Sequence, residues 1–563
     1  MKTLQVRVET ERSGRIGSYI QIFSRELKER AGVTLEETQG KSRVVLGISE
    51  GIGTEGFSIT DEPDGAVRIS GNDELALLYG IGRFLHDASW HEGSFTAGQW
   101  RGTSIPQGIV RGIYLAFHSN WYTHASEEEV KRYIDDLALW GLNSLIFDLS
   151  SLRIISAATS LVAERDRSIL KHARSLGVKI GLLESANIAC DDVPPELLAP
   201  EFPDTDPVRR GYGGTRVCVS QPAGFDFMSR QMDRYLDSCA DIGLDFVVAF
   251  PYDIGGCGCD QCWPWGARGY LKISKEFSRL AKSKYPDSQF VLCTWCFDVL
   301  EEPDGEYEGL EKSLAEDKSW VDVIMADAHE DFPEYALRPG AFAGLPIINF
   351  AEISMWGRFP WGGSGANPYP MRLQRLWDQA GHVLSGGFPY SEGNFEDINK
   401  VICLRFFWDG STTAEATVRE YIAYEFGSHV VEPVTEAILL LENTLQEFGR
   451  EQVDVERAYQ LMTEADTKVS PRVRASWRWQ ILYWRAIIDF EKATYNPEIT
   501  DRCDAAYETL IEVLHLQNGW RAVTPPSRAY LARVGAEGVL MQEVLPGAAP
   551  ERDAKTLRKA SIS

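Results

Sequence analysis

Eight short apolar runs recur along the middle of this 563-residue chain, at 111–117, 144–148, 179–183, 246–250, 290–294, 321–325, 346–350 and 383–386. Most are continuously apolar rather than alternating, as in Phe246, Val247, Val248, Ala249 and Phe250. A strand that is apolar on both faces must be covered on both faces, which is the condition of a parallel sheet. Parallel neighbours need crossover connections, and amphipathic stretches such as 127–140 and 224–242 lie between most of the runs. Eight such units predict an α/β fold built on a (β/α)8 barrel. A doubly wound open sheet is the alternative, but no glycine-rich fingerprint follows the first run.

The flanks read differently. Residues 1–105 alternate strand-like pieces (4–8, 43–48, 56–60, 66–70) with helix-like ones (16–30, 75–85), and Pro63, Asp64 and Gly65 mark a hairpin between two of the strands. We expect an accessory α/β domain there, the barrel over 106–410, and a helical C-terminal region over 411–563, where apolar positions fall at helical spacing. That region offers a surface for packing or homodimerisation. A formal charge of −25 argues against nucleic acid or an anionic membrane as partner. No apolar run reaches the roughly 18 residues of a membrane span, and no early segment reads as a secretion signal. Together with cysteines that read as reduced thiols, this leads us to expect a cytoplasmic protein.

Chemistry in a parallel barrel belongs at the carboxyl ends of its strands. Acids fall there in surplus: Asp148, Glu184, Asp253, Asp298, Asp327 with Glu330 and Asp331, Glu352, and Glu392 with Glu396. Paired strand-end carboxyl groups suit acid–base chemistry, glycosidic hydrolysis among it, whereas a strand-end acid also serves as a helix cap or ion-pair partner. Glu352 stands among Phe350, Ile353, Met355 and Trp356, an apolar setting that raises a carboxyl pKa toward the working range. We take Glu352, Asp327, Asp331 and Glu392 as candidate catalytic acids, with Asp253 as a reserve acid or substrate ligand. Aromatic residues after the runs (Trp121, Tyr122, Trp263, Trp265, Trp295, Trp356, Trp361 and Tyr390) are expected to line the rim as platforms for sugar faces, core packing being the competing account. His118 is placed to bond sugar hydroxyls, and Arg111, Arg338 and Arg358 to pair with a substrate carboxylate or with the acids themselves.

Several stretches together resemble a known group of enzymes. Residues 56–84, including Arg68, Ile69, Ser70, Gly71, Asn72 and Asp73, resemble the non-catalytic domain that precedes the barrel in family 20 hexosaminidases and family 67 α-glucuronidases. Arg111 to Tyr114 resembles their first barrel strand, and 390–400 with Phe407, Trp408 and Asp409 looks like related barrel proteins; the domain order is similar to the family 67 plan. The hexosaminidase signature His-x-Gly-Gly-Asp-Glu is absent, its nearest counterpart being 252–256, which argues against acetamido-assisted hydrolysis. In the α-glucuronidases two catalytic carboxylates come from consecutive late strands, and the segments around Asp331 and Glu352 look similar. The resemblance implies an exo-acting glycoside hydrolase that removes a terminal neutral sugar, uronic acid or hexosamine. A non-catalytic carbohydrate-binding barrel and a sugar lyase are the alternatives.

Cys257, Cys259 and Cys262 form a C-x-C-x2-C run among Gly255, Gly256 and Gly258, a spacing that gathers three thiolates on one tight turn. Structural Zn2+ wants four ligands. Cys218 is the expected fourth, since it precedes the helix leading into the same strand; Cys293 and Cys296 rank second, and three free thiols are the alternative. The setting resembles family 42 β-galactosidases, whose similar cluster is completed by an upstream cysteine. No cofactor is expected for catalysis.

Overall fold

The computed structural model describes residues 3–149 (apart from 92), 161–189, 193–200, 215–251, 256–298, 305–328, 331–354, 361, 366–444, 452–495 and 499–515. Eight parallel strands close into a barrel: β1 (Val110–Leu115), β2 (Ser144–Asp148), β3 (Lys179–Ser185), β4 (Phe246–Phe250), β5 (Gln289–Cys293), β6 (Val323–Ala328), β7 (Ile347–Ala351) and β8 (Leu384–Gly387). Each pairs with its neighbours in sequence, and β8 returns to β1 with Gly386 opposite Val110, while Gly112 of β1 faces Ser144 of β2. The seam depends on a glycine. Gly386 has φ 127°, and a Cβ there would lie 1.8 Å from the Val110 carbonyl oxygen.

Alternate side chains point inward and fill the barrel, among them Phe246, Val248 and Phe250 of β4, Val323 and Met325 of β6, and Ile348 and Phe350 of β7. Each such side chain contributes about 1.5–3 kcal/mol on burial. The interior is therefore a packed core, and the chemistry is left to the ends. The opposite faces of the same strands pack under the helices, which is why both faces had to be apolar.

The N-terminal residues form a six-stranded sheet in the order Thr34–Glu37, Thr3–Val8, Val44–Ile48, Val67–Gly71, Phe57–Asp61, Gly102–Ser104. The first four strands are parallel and the last two pairings antiparallel. The expected hairpin is present, with Glu62 N donating to Ala66 O at 2.8 Å and Ala66 N to Asp64 Oδ1 at 3.1 Å. The edge strands Thr34–Glu37 and Gly102–Ser104 were not anticipated, because short, exposed edges carry little apolar pattern.

This sheet domain is locked to the barrel. Its helix Glu74–His86 approaches barrel helix Glu127–Leu139 so closely that a Cβ on Gly82 would fall 2.1 Å from Leu139 O. Arg25 reaches across to Asp135 at 2.7 Å and Asp136 at 2.8 Å. Arg111 is buried at the amino end of β1, paired with Glu55 and donating to Gly141 O at 2.8 Å. That placement corrects the expectation for Arg111: it seals the bottom of the barrel and does not face substrate.

Among the described residues beyond the barrel the elements are helices: Ala414–Glu425, Val431–Asn443, Gln452–Lys468, Pro471–Ala475, Trp477–Tyr495 and Asp501–Val513. Arg478 ties this layer to the last barrel helix through Asp397 at 2.8 Å. Among the described residues no helix is long and apolar enough to cross a membrane.

Candidate active site

The carboxyl ends of the strands carry part of the expected set of acids. Asp148 ends β2, Glu184 lies near the end of β3, Asp327 near the end of β6, and Glu352 directly follows β7. After β8, Tyr390 and Ser391 form a further short strand against β1, pairing with Tyr114 and Leu115, and Tyr390 is also bridged to Glu352. Tyr390 therefore stands between the ends of β7 and β1. Its hydroxyl donates to Glu392 Oε1 at 2.5 Å, and His118 Nε2 lies 3.3 Å from the same hydroxyl. A phenol has one proton; with that proton on Glu392, the imidazole N–H must be the donor to Tyr390. The other ring nitrogen of His118 is 3.4 Å from Asp148 Oδ1, an ion pair when the ring is protonated, and Asp148 Oδ1 accepts from the Tyr114 hydroxyl at 2.7 Å. Glu392, Tyr390, His118, Asp148 and Tyr114 thus form one polar chain across the mouth.

An aromatic floor lies beside it. Trp295 is half-buried, stacks on Phe250 (6.2 Å between centroids) and meets Phe350 edge-on at 5.4 Å. Phe350 in turn packs against Tyr114 and Tyr390. The rim is narrower than expected. Trp121 is buried between Tyr122 and Tyr133, and Tyr122, Trp265 and Trp361 are buried as well. These rings anchor loops in the core, the Trp265 indole donating to Pro251 O at 2.6 Å. A ring just past a strand faces the mouth or the helix layer with equal ease, and sequence position does not separate the two.

Glu352 is buried and its flank is held rigidly. Asn367 Nδ2 donates to Ile353 O (3.3 Å) and Ser354 O (2.8 Å), and Asn399 Nδ2 donates to Ile353 O (3.4 Å) and Asn367 O (2.9 Å). Burial, reinforced by the charges of Glu352 and Glu396, holds the Tyr369 phenol well above its ordinary pKa. It therefore stays an O–H donor, and its partner is Ile353 O. Ser354 Oγ bonds Glu396, which also accepts from the backbone N–H of Glu392 (2.9 Å) and Gly393 (3.3 Å). Glu396 is paired with Lys400 at 3.1 Å, both side chains wholly buried. Glu396 is thus the clip that joins the loops after β7 and β8. Tyr114, Asn367, Tyr369 and Asn399 were missed in the sequence. The signal available was polarity in the wrong place, as with Asn399 and Lys400 between Ile398 and Val401 in a buried helix.

Other candidates fall elsewhere. Asp331 is exposed and held outward by Gln379 Nε2 at 2.9 Å, with Arg375 at 3.8 Å, so it does not join the acids around Tyr390. Asp298 caps helix Glu306–Glu316, accepting from Glu306 N (3.0 Å) and Tyr307 N (3.1 Å). Arg338 lies over Tyr335 at 4.6 Å. Asp327 is half-buried, its negative charge helping to raise Cys293 and Tyr307 on the β5 side. Asp253, Glu330, Trp356 and Arg358 lie outside the described residues.

The cysteine run closes on itself as expected. The sulfurs of Cys218, Cys257, Cys259 and Cys262 lie within 4.8 Å of one another, Cys218 and Cys259 being 3.7 Å apart. Such a set can hold a metal ion. Three of the four are buried, and Ser220 Oγ is 3.3 Å from Cys259. The hydrogen bond from Cys257 holds the Cys262 thiol below its ordinary value, and the same bond with burial pushes Cys257 up. Cys293 is buried in the barrel interior, outside the cluster.

Solved structures of similar fold are those of glycoside hydrolases. A family 89 glycoside hydrolase from Clostridium perfringens matches over 98% of this chain and 77% of its own, at a TM-score of 0.60 and 12% identity. A family 115 4-O-methyl-α-glucuronidase with specificity for decorated arabinogalactans matches over 91% and 76%, at 0.56 and 12% identity. A family 138 enzyme targeting pectin rhamnogalacturonan II matches over 90% and 74%, at 0.53 and 10% identity. At these identities the likeness is one of fold. No protein-family model matches the sequence, and no curated protein matches it.

Proposed function

We propose that this chain is an exo-acting glycoside hydrolase that removes a terminal sugar with Glu352 and Glu392 as its carboxylate pair. The observation that carries the reading is the position of Tyr390, which bridges Glu352 through its backbone and donates its hydroxyl to Glu392 beside the Trp295 and Phe350 rings. Glu352 protonates the departing glycosidic oxygen. Glu392, accepting from Tyr390, acts as base or nucleophile on the other side of the bond. Asp327, His118 and Asp148 hold sugar hydroxyls, and Trp295 supplies an apolar face for the ring. A family 89 enzyme of similar fold has been captured with its substrate GlcNAc-α-1,4-galactose as a double Glu→Gln variant.

Release of reducing sugar from a panel of terminal glycosides tests the reading. Glu352→Gln should lower turnover about 10²–10⁴-fold while leaving the fold intact. Wild-type turnover in that variant removes Glu352 from the mechanism. Sugar binding without release would instead establish a carbohydrate-binding protein, and an unsaturated product seen by absorbance would establish a lyase.

The four-thiol cluster fits structural Zn2+. Bonds of about 2.3 Å to a tetrahedral zinc put neighbouring sulfurs about 3.8 Å apart, close to the 3.7 Å between Cys218 and Cys259. Four thiolates leave no open position, so the ion would pin the loops after β3 and β4 and take no part in hydrolysis. Thiols of this kind persist in a reducing compartment, which supports a cytoplasmic location.

A further inference from the structure

We propose that the C-terminal helix Trp477–Tyr495 is part of the catalytic apparatus, its Asp489 and Arg485 acting as positioning residues for Glu352; this rests on the reading of Glu352 given above. Two described points of the segment that follows Glu352 are gripped by this one helix. The Trp361 indole, wholly buried, donates to Asp489 Oδ1 at 2.7 Å. Arg485, also wholly buried, donates through Nη1 to Ala366 O at 2.6 Å, and its guanidinium lies 5.5 Å from the centre of the Trp361 ring. The two helix residues brace each other, with Arg485 Nε 3.4 Å from Asp489 Oδ2. Thr444 completes the brace, its hydroxyl donating to Asp489 Oδ2 at 3.0 Å and accepting from Arg485 Nη2 at 2.8 Å.

From this anchor a short path leads to the acid. Ala366 precedes Asn367, whose amide holds Ile353 O and Ser354 O, the two carbonyls that follow Glu352. Four consecutive links (Arg485, Ala366, Asn367, and the Ile353 and Ser354 backbone) connect a helix outside the barrel to the acid at its mouth. A buried guanidinium and carboxylate are costly to desolvate, and they persist where their hydrogen bonds are satisfied. Here the bonds they satisfy are those of Trp361 and of Ala366, the neighbour of Asn367. The helical layer therefore sets the direction of the acid, and a displacement of that direction by a fraction of an ångström is felt in the chemical step more than in binding.

The test uses the full chain and the glycoside it hydrolyses fastest. Trp361→Phe keeps the ring over Arg485 and removes the indole N–H; Thr444→Val removes the brace with little change of shape. Both should lower kcat about 10- to 100-fold while KM changes less than about threefold. Both should also quicken amide hydrogen exchange in the peptide covering 352–354. Arg83→Gln, which breaks the 2.9 Å contact to Glu420 at the N-terminal junction, is the control for general loosening and should keep kcat. Unchanged kcat and exchange in Trp361→Phe, with Glu352→Gln inactive, overturn this inference alone. An equal loss of kcat in Arg83→Gln overturns it too, by showing the effect to be global. Wild-type turnover in Glu352→Gln overturns the reading of Glu352 and this inference with it.

Discussion

Replacing Glu396 with glutamine removes the charge from the clip between the loops after β7 and β8 and keeps its shape. Glu396 and Lys400 are wholly buried and 3.1 Å apart. At an effective dielectric of about 20, two unit charges at that distance attract by about 5 kcal/mol. Lys400 keeps two other acceptors, Tyr133 Oη at 3.0 Å and Gly393 O, so part of the loss is recovered. Breaking a buried pair from one side costs about 3–5 kcal/mol, because the remaining charge is left without compensation. We expect Glu396→Gln to lie at the lower end of that range, measured by urea unfolding followed through tryptophan fluorescence. The Lys400→Met, Glu396→Gln double variant should be more stable than Glu396→Gln alone, since no buried charge is stranded.

The pH dependence gives a second reading of the same pair. Burial holds the Lys400 pKa below its ordinary value, so above the folded pKa the unfolded chain binds the proton that the folded chain has lost. Stability carried by this group therefore rises with pH between the folded pKa and the ordinary lysine value. Without Glu396 opposite, the folded pKa falls further, and the deficit of Glu396→Gln should shrink as pH rises from about 7 to 9. A deficit under about 1 kcal/mol, or single-variant losses that simply add, would refute the reasoning.

Two further outcomes are expected. Metal analysis of the purified protein should find about one zinc per chain, and Cys259→Ser should lower the melting temperature and the zinc content while leaving kcat nearly unchanged; a metal-free wild type with four titratable thiols at these positions would contradict it. Glu442 caps the helix Pro370–Ala380 through Met371 N (2.9 Å) and Arg372 N (2.8 Å), and burial raises its pKa to about 7. The folded chain thus holds a proton that the unfolded one releases between the ordinary glutamate value and about 7, and stability falls as pH rises through that window. Glu442→Gln should gain about 1–2 kcal/mol on the wild type between pH 5 and 8 in thermal melts, and a difference that stays flat with pH would count against this role.

The barrel was legible because burial on both faces leaves a mark that no other strand environment leaves. Residues 144–148 and 246–250, continuously apolar or nearly so, coincide with β2 and β4. The cysteine cluster was legible because covalent spacing alone brings three sulfurs to one turn, and chain order supplied Cys218. Direction was not legible. Asp331 and Glu352 both follow late strands, yet Gln379 and Arg375 turn one outward while Asn367, Asn399 and Tyr369 hold the other in. Those partners lie 13 to 48 residues away, and local pattern carries no record of them. Asp298 shows the same limit: a strand-end acid became a helix cap because Gly305 and Glu306 begin a helix within its reach.

The seam at Gly386 has a consequence for how the chain is made. β1 is the first barrel strand to leave the ribosome and its closing partner β8 the last, so until Gly386 meets Val110 the nascent barrel carries open strand edges. Open edges invite pairing with other chains, and such long-range closure is slow. The sheet domain is synthesised beforehand, and its Glu55 meets Arg111 on β1 itself. Fragments that stop short of residue 387, or that begin after the sheet domain, should collect in inclusion bodies where the full chain does not.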